Sequence, residues 1–326
     1  FDEALQDQVH ILVDALEDPM PKVRAQAVLS IGRILALFWE ILPPQSLHAI
    51  ISHLVNEVAF DKTSPNVREA TFKAMGALLE NPLTHRFLKD KAYLARLSPL
   101  IFDTTDRVRL ACATLLEQVK KIKLIRFYEV VELDRILDAL AHENAPKVRT
   151  ALCRVLQSSY WPADRYPIAE IVTRAKDMIA TNAEAAVAFY ASAPLLQADP
   201  STAARFMAQL WSEVVRPAAA QYLQEASEGS KAKSRPKPNL KTKTDEDEAE
   251  PRSKRSKTKE QDENVPFESK PENIANTIKV VAGVWDQIDD KLDDLELIRD
   301  LLAVFDDREL AVLHQHFPLT AIALIA

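Results

Sequence analysis

Apolar side chains recur along this chain at spacings of three and four residues, the mark of helices with one buried face. Such stretches run from Val9 to Leu16, Leu47 to Val58, Leu94 to Phe102 and Leu133 to Leu140. Each is followed by a short polar turn and then by a second amphipathic stretch that opens on the same dipeptide: Val23-Arg24, Val67-Arg68, Val108-Arg109 and Val148-Arg149. The pairs stand 44, 41 and 40 residues apart. In three of them a proline (Pro21, Pro65, Pro146) precedes the valine by two positions. A first helical turn tolerates it, because no intrahelical hydrogen bond is lost there. Apolar residues three and eight places after the valine, as in Ala70 and Met75, Ala111 and Leu116, and Ala151 and Leu156, share one helical face. The unit is therefore helix, tight turn, helix.

A hairpin of this kind cannot bury its apolar face alone, so successive copies must stack around a shared core. The period lies within the ~40 to 47 residues of HEAT-type repeats. The predicted fold class is all-α, an α-solenoid of HEAT-type helical hairpins. An acidic residue stands five or six positions before each valine, at Asp18, Asp61, Asp103 and Glu143. These acids are expected to cap the second helices. Arg24, Arg68, Arg109 and Arg149 are expected to reach the turn of the next unit, making a ladder along the solenoid.

Four such repeats are assigned to residues 1–162. Degenerate helical repeats follow over 163–226, where the patterning persists through Ile168 to Ile179, Ala183 to Leu196 and Ala203 to Leu223 without the Val-Arg pair. In residues 227–272 only Ala232, Leu240, Ala249, Val265 and Phe267 are apolar, against 12 basic and 11 acidic side chains. A segment so poor in apolar surface cannot offset its ordering entropy, and a disordered charged insertion is expected. Helical pattern resumes over 273–326, read as a C-terminal helical hairpin. The chain opens at Phe1 inside an amphipathic pattern, and is expected to be a fragment of a longer protein with further repeats.

Composition narrows the chemistry. Of 326 residues only 4 are glycine, at 32, 76, 229 and 283, so neither a phosphate-cradling P-loop nor a GxGxxG fingerprint can be present. No HExxH occurs, and the His314, His316 pair lacks partners at metal-ligand spacing, so no metal site, no cofactor and no small-molecule substrate are expected. Cys112 and Cys153 fall at nearly equivalent places in their repeats, inside apolar stretches, and read as core thiols in a reducing compartment. No apolar run reaches the ~18 residues needed to span a bilayer, so no membrane partner is expected.

The net charge of −7 is unevenly distributed. Between Arg86 and Arg126 there are ten basic side chains against four acidic ones. Arg109 belongs to the ladder. Arg86, Lys89, Lys91, Arg96, Arg107, Lys120, Lys121, Lys123 and Arg126 are candidate contacts to the phosphates of double-stranded DNA or chromatin. In the insertion, Arg252, Lys254, Arg255, Lys257 and Lys259 form a candidate nuclear-import run. Thr244, followed by Asp245, Glu246 and Asp247, is a candidate phosphorylation site. The tail after residue 272 carries 10 acidic against 4 basic side chains.

One family resemblance stands out. The stretch from Pro21 to Pro43, ending Trp39-Glu40-x-x-Pro43, resembles the HEAT segment of the G-type subunit of condensin II. So do Val108 through Tyr128 with its Lys121-Ile-Lys-Leu-Ile-Arg-Phe-Tyr run, the helix from Leu133 to Leu140, and Val148 through Ser159-Tyr-Trp-Pro162. The resemblance covers residues 18–162. It implies a non-enzymatic regulatory subunit that binds the kleisin of a complex whose SMC subunits hydrolyse ATP. It further implies DNA contact, residence in the nucleus on chromosomes, and a part in mitotic chromosome condensation, with no catalytic residue to carry over. The competing expectation is a HEAT-repeat transport or vesicle adaptor holding peptide cargo in its groove.

Overall fold

The computed structural model describes residue 7 and residues 11–192, 200–232, 266–292 and 295–317. Among the described residues there are helices and turns but no strand, and none of the helices is long and apolar enough to cross a membrane. The chain falls into two compact units. The first joins Phe1–Arg165 to Glu184–Leu195; the second joins Tyr166–Ala183 to Leu196–Ala326.

The first unit is an α-solenoid. After helical residues 11–14 and a 3-10 turn at Ala15–Glu17 come α1 (Pro21–Leu37), α2 (Pro44–Asn56), α3 (Pro65–Glu80) and α4 (Thr84–Asp90). These are followed by α5 (Asp106–Val119), α6 (Phe127–Val130), α7 (Leu133–His142) and α8 (Pro146–Tyr160). The second helices of the four hairpins are α1, α3, α5 and α8, and each packs on the next. Three of them begin on the proline of the repeat, with its missing N–H where no intrahelical bond is due. The side chains three and eight places after the valine lie inward in α3 and α8: Ala70, Met75, Ala151 and Leu156 are buried. At Gly32 the helices α1 and α3 nearly touch. A Cβ there would lie 2.6 Å from the Cα of Ala74, so only glycine permits this approach.

The third hairpin departs from the expected continuous first helix. After α4 the chain turns at Ala92, whose φ of 50° is left-handed, and continues as a 3-10 helix over Leu94–Phe102. Pro99 lies inside that segment, and its ring removes an N–H that an α-helix would have used. The apolar face survives, with Leu94, Leu97, Leu100 and Ile101 buried. At the end of the unit, α10 (Ala183–Tyr190) supplies Phe189 and Tyr190, both fully buried. The Tyr190 hydroxyl donates to the carbonyl of Tyr160 at 3.1 Å.

The second unit contains α9 (Ile168–Thr181), α11 (Pro200–Leu210), a π-helical turn at Trp211–Val215 and α12 (Arg216–Ala232). Past the insertion it contains α13 (Pro271–Ile288), α14 (Leu295–Val304) and α15 (Asp307–His316). Among the described residues, the span read as a C-terminal helical hairpin holds three α-helices, α13 to α15. Lys176 ties the unit together, donating to Glu213 at 2.8 Å and to Glu268 at 3.0 Å. Of the insertion expected over 227–272, residues 233–265 lie outside the described residues. At its flanks helix α12 runs on through Ala232, and Phe267–Ser269 forms a 3-10 turn before α13. Thr244 and the import run from Arg252 to Lys259 also lie outside the described residues.

Between hairpins run the ion pairs of the ladder. Arg24 donates through Nε to Asp61 at 2.8 Å. Arg68 makes a two-pronged pair with Asp103 at 2.7 and 2.9 Å, and Arg109 a similar pair with Glu143 at 2.7 and 2.9 Å. Each guanidinium also donates Nη1 to a carbonyl of its own turn: Arg24 to Asp18, Arg68 to Asp61, and Arg109 to Asp103. Arg149 donates through Nε and Nη2 to the Glu143 carbonyl, at 3.2 and 2.6 Å. The acids do not cap their helices in the expected way. Each accepts from the N–H of the residue just before its helix, Met20, Ser64, Thr105 or Ala145, at 2.7 to 2.8 Å. The bond sits one step outside the first turn, and at Asp61, Asp103 and Glu143 the same carboxylate also faces the arginine of the preceding unit.

These bonds set the carboxylate pKa values. Burial pushes Asp103 up, but the hydrogen bonds from Arg68 and the Thr105 N–H, with the fields of Arg68 and Arg109, outweigh it and hold the group below its ordinary value. Asp61 and Glu143 are likewise raised by burial and lowered further by their hydrogen-bond donors, for a net depression in each. A group whose folded pKa is depressed contributes stability above its unfolded pKa and loses it as pH falls through the folded one. Urea unfolding of this protein should therefore show ladder stability that is full near neutral pH and declines as pH drops below the ordinary values of 3.8 and 4.5. Arg109→Met should cost about 3–5 kcal/mol in the same measurement, because it strands the Glu143 carboxylate, whose side chain is 2% exposed. Arg86→Met, at a solvent-exposed pair with Asp90, should change stability by no more than about 0.5 kcal/mol. Equal effects from the two substitutions would show that the ladder does not hold the joints.

Candidate functional site

Two surfaces of the first unit offer something to a partner. The first is a groove of about 780 Å³ running across α3, α5 and α8. Its walls are mostly apolar, with Phe72, Leu110, Ala111 and Leu115 among them, and small residues keep it open. Gly76 is one of these: a Cβ there would come within 2.6 Å of the Gln118 Oε1 on α5. Charged side chains of both signs lie around it, with Glu69 and Lys73 paired at 2.6 Å on α3, and Asp106, Arg107 and Lys147 at the starts of α5 and α8. A second recess of about 430 Å³ continues between α5 and α8 past Thr150 and Arg154. An open, apolar trough without a convergent set of acids, bases or nucleophiles suits the side chains of another polypeptide.

The second surface is the edge where one hairpin passes to the next. Lys89 donates Nζ to the Leu124 carbonyl at 2.8 Å, and so brings α4 against the 120–126 loop that follows α5. Arg86, Lys91, Lys121, Lys123 and Arg126 are exposed there. Leu83, Leu124 and Tyr128 are exposed on the same edge. Two of the sequence candidates are partly spent. Lys89 also pairs with Glu129 at 3.5 Å, and Lys120 gives Nζ to the Arg154 carbonyl at 2.6 Å. Burial depresses the Lys120 pKa, with Glu117 opposing the shift.

The nine basic candidates do not form one patch. Arg107 stands at the opposite end of α5, about 20 Å from Lys121 at 1.5 Å of rise per residue, where it donates to Asn66 at 2.7 Å. Arg96 donates to Asn56 at the end of α2, at 3.0 Å, with its guanidinium 5.2 Å from the Tyr93 ring centroid. Sequence proximity grouped these two with the rest, but the hairpin fold sends them to the turn edge. The groove was missed in the sequence. Its signal is the set of small residues Gly76, Ala77 and Ala111 along its lining.

The other titratable groups fall elsewhere. Burial pushes the Cys112 thiol up to about 12 and the Cys153 thiol up to about 11, which leaves both protonated and unreactive at neutral pH. His316 stacks on Tyr222 with ring centroids 4.1 Å apart. Among the described residues no three His, Cys, Asp or Glu side chains converge on a point that could hold a metal ion.

Comparison with known proteins agrees with the repeat sequence. No family model matches the chain, and no solved structure does. Condensin-2 complex subunit G2 of Danio rerio is 32% identical over 197 residues, which cover 60% of this chain and 17% of that protein. The subunit of the same name in Mus musculus is 30% identical over 190 residues, 58% of this chain and 16% of the relative. That of Xenopus laevis is 30% identical over 165 residues, 51% and 14%. The chain spans less than a fifth of the length of these relatives. Over more than half its length, then, this α-solenoid chain is related in sequence to a segment of the G-type subunit of the condensin II complex.

Proposed function

We propose that this chain is a non-catalytic, regulatory scaffold portion of a condensin II complex, acting in mitotic chromosome condensation in the nucleus. The groove across α3, α5 and α8 is the observation that carries this reading. An apolar trough on a ladder-braced array takes an extended segment of another subunit, and in a condensin complex the kleisin is that segment. SMC subunits join through the kleisin. The cationic edge formed by Arg86, Lys91, Lys121, Lys123 and Arg126 takes the phosphates of duplex DNA. Arg252, Lys254, Arg255, Lys257 and Lys259 serve nuclear import, and phosphorylation at Thr244 adds charge beside an already acidic block.

Affinity purification of the chain from dividing cells should recover kleisin and SMC subunits together. Their absence would sink the assignment, and recovery of vesicle-coat or transport components in their place would favour a cargo adaptor. Ala111→Trp, which fills the groove while leaving the ladder alone, should lower kleisin recovery at least tenfold with unchanged thermal unfolding. For the cationic edge, duplex DNA binding is measured across a salt series. The combined Lys121→Glu, Lys123→Glu and Arg126→Glu protein should bind more weakly, with a salt slope shallower by about 0.9 for each phosphate it no longer neutralises. Arg107→Glu, on the other edge, should leave the slope as it is. The reverse pattern would move DNA to the turn edge.

A further inference from the structure

The cationic edge exposes more than cations. Leu83, Leu124 and Tyr128 are 55%, 44% and 53% exposed there. The repeat itself places them: Leu83 and Leu124 each stand 16 residues after the valine of their unit, and Phe87 and Tyr128 each stand 20 after it. An apolar side chain with an aromatic one four residues on is thus offered by each of two neighbouring hairpins, and the bond from Lys89 to the Leu124 carbonyl brings the two together. Phe87 is half-buried, closed in by Trp39 and Tyr93 with ring centroids 5.2 and 5.6 Å away. Tyr128 is open. Phe127 packs on its ring at 5.5 Å and 74° and holds it in place. The acids of the edge are already engaged, Asp90 with Arg86 at 3.6 Å and Glu129 with Lys89 at 3.5 Å. Lys121, Lys123 and Arg126 are exposed, and none of the ion pairs among the described residues engages them.

We propose that this edge holds single-stranded nucleic acid, with a base laid against the Tyr128 ring, apolar contact from Leu124, and phosphates on Lys121, Lys123 and Arg126. The inference rests on the reading of the edge as a phosphate-binding surface, and names the form of nucleic acid that it holds best. A duplex keeps its base faces stacked on one another and presents phosphates and sugars outward, so it can use the cations but leaves the tyrosine and the leucines with nothing apolar to meet. A single strand offers a planar apolar face and an anion at every step, and an exposed ring beside three unpaired cations matches that alternation. Stacking of this kind is tolerant of sequence, because every base has a π-face.

The test compares an oligothymidylate of about 20 nucleotides with a duplex of the same length, each titrated against the full chain across a salt series. The single strand should bind more tightly at every salt concentration. Tyr128→Ala should weaken single-strand binding about fivefold or more while leaving duplex binding within about twofold, and Tyr128→Phe, which keeps the ring, should restore it. The combined Lys121→Glu, Lys123→Glu and Arg126→Glu protein should lose affinity for both. Duplex binding that depends on these cations, with a single strand that binds no better or ignores Tyr128→Ala, would overturn this inference and leave the duplex reading standing. Binding of neither form at low salt would remove both readings of the edge. A helical peptide of glutamate and leucine that binds in a Tyr128-dependent way where the single strand does not would overturn the inference in favour of a protein partner.

Discussion

A guanidinium held between two hairpins is the interaction on which the first unit depends. Each arginine does two things at once: it ties down a carbonyl in its own turn and pairs with the carboxylate of the next. That carboxylate in turn fixes the N–H that opens its helix. Turn geometry, helix start and hairpin-to-hairpin spacing are thereby set by one repeated contact. Apolar stacking supplies most of the driving force, but it is non-directional and would tolerate sliding between hairpins. The planar two-pronged pair does not, because its geometry is satisfied at one register only.

Much of this was legible from residue types alone. The Val-Arg spacing located the second helices and pointed each arginine to the next turn, while the acids five or six places upstream were read as helix caps. What the sequence could not show was how the acid divides its lone pairs between an arginine and a backbone N–H, since that depends on the turn conformation. The third hairpin is a similar case. Its apolar positions fit an α-helix and a 3-10 helix almost equally over nine residues, and Pro99 with the left-handed Ala92 decides between them.

The surfaces were less legible than the core, for a physical reason. Burial imposes a period on a sequence, whereas exposure imposes none. Nine cations close in the chain look like one patch, yet a hairpin carries residues at the two ends of a helix to opposite edges, and so Arg107 parts from Lys121. The groove left its trace as an absence of bulk at Gly76, Ala77 and Ala111, which becomes meaningful only once α3, α5 and α8 are seen side by side. Lys120 shows the converse. The sharpest part of a basic run is engaged with a neighbouring helix carbonyl, and burial there disfavours its charge, so it is less available to a ligand.

The near-contact of α1 and α3 at Gly32 gives the unit an uneven stiffness. Where the two backbones meet at Ala74 with only its methyl beside them, there is no rotamer that can yield, so that joint transmits a load almost as a single body. The joints farther along are padded by side chains, as where Gly76 faces the movable end of Gln118. Under tension or torque the early hairpins would act as an anchor, and elastic strain would gather at the later joints, which are the ones that line the groove.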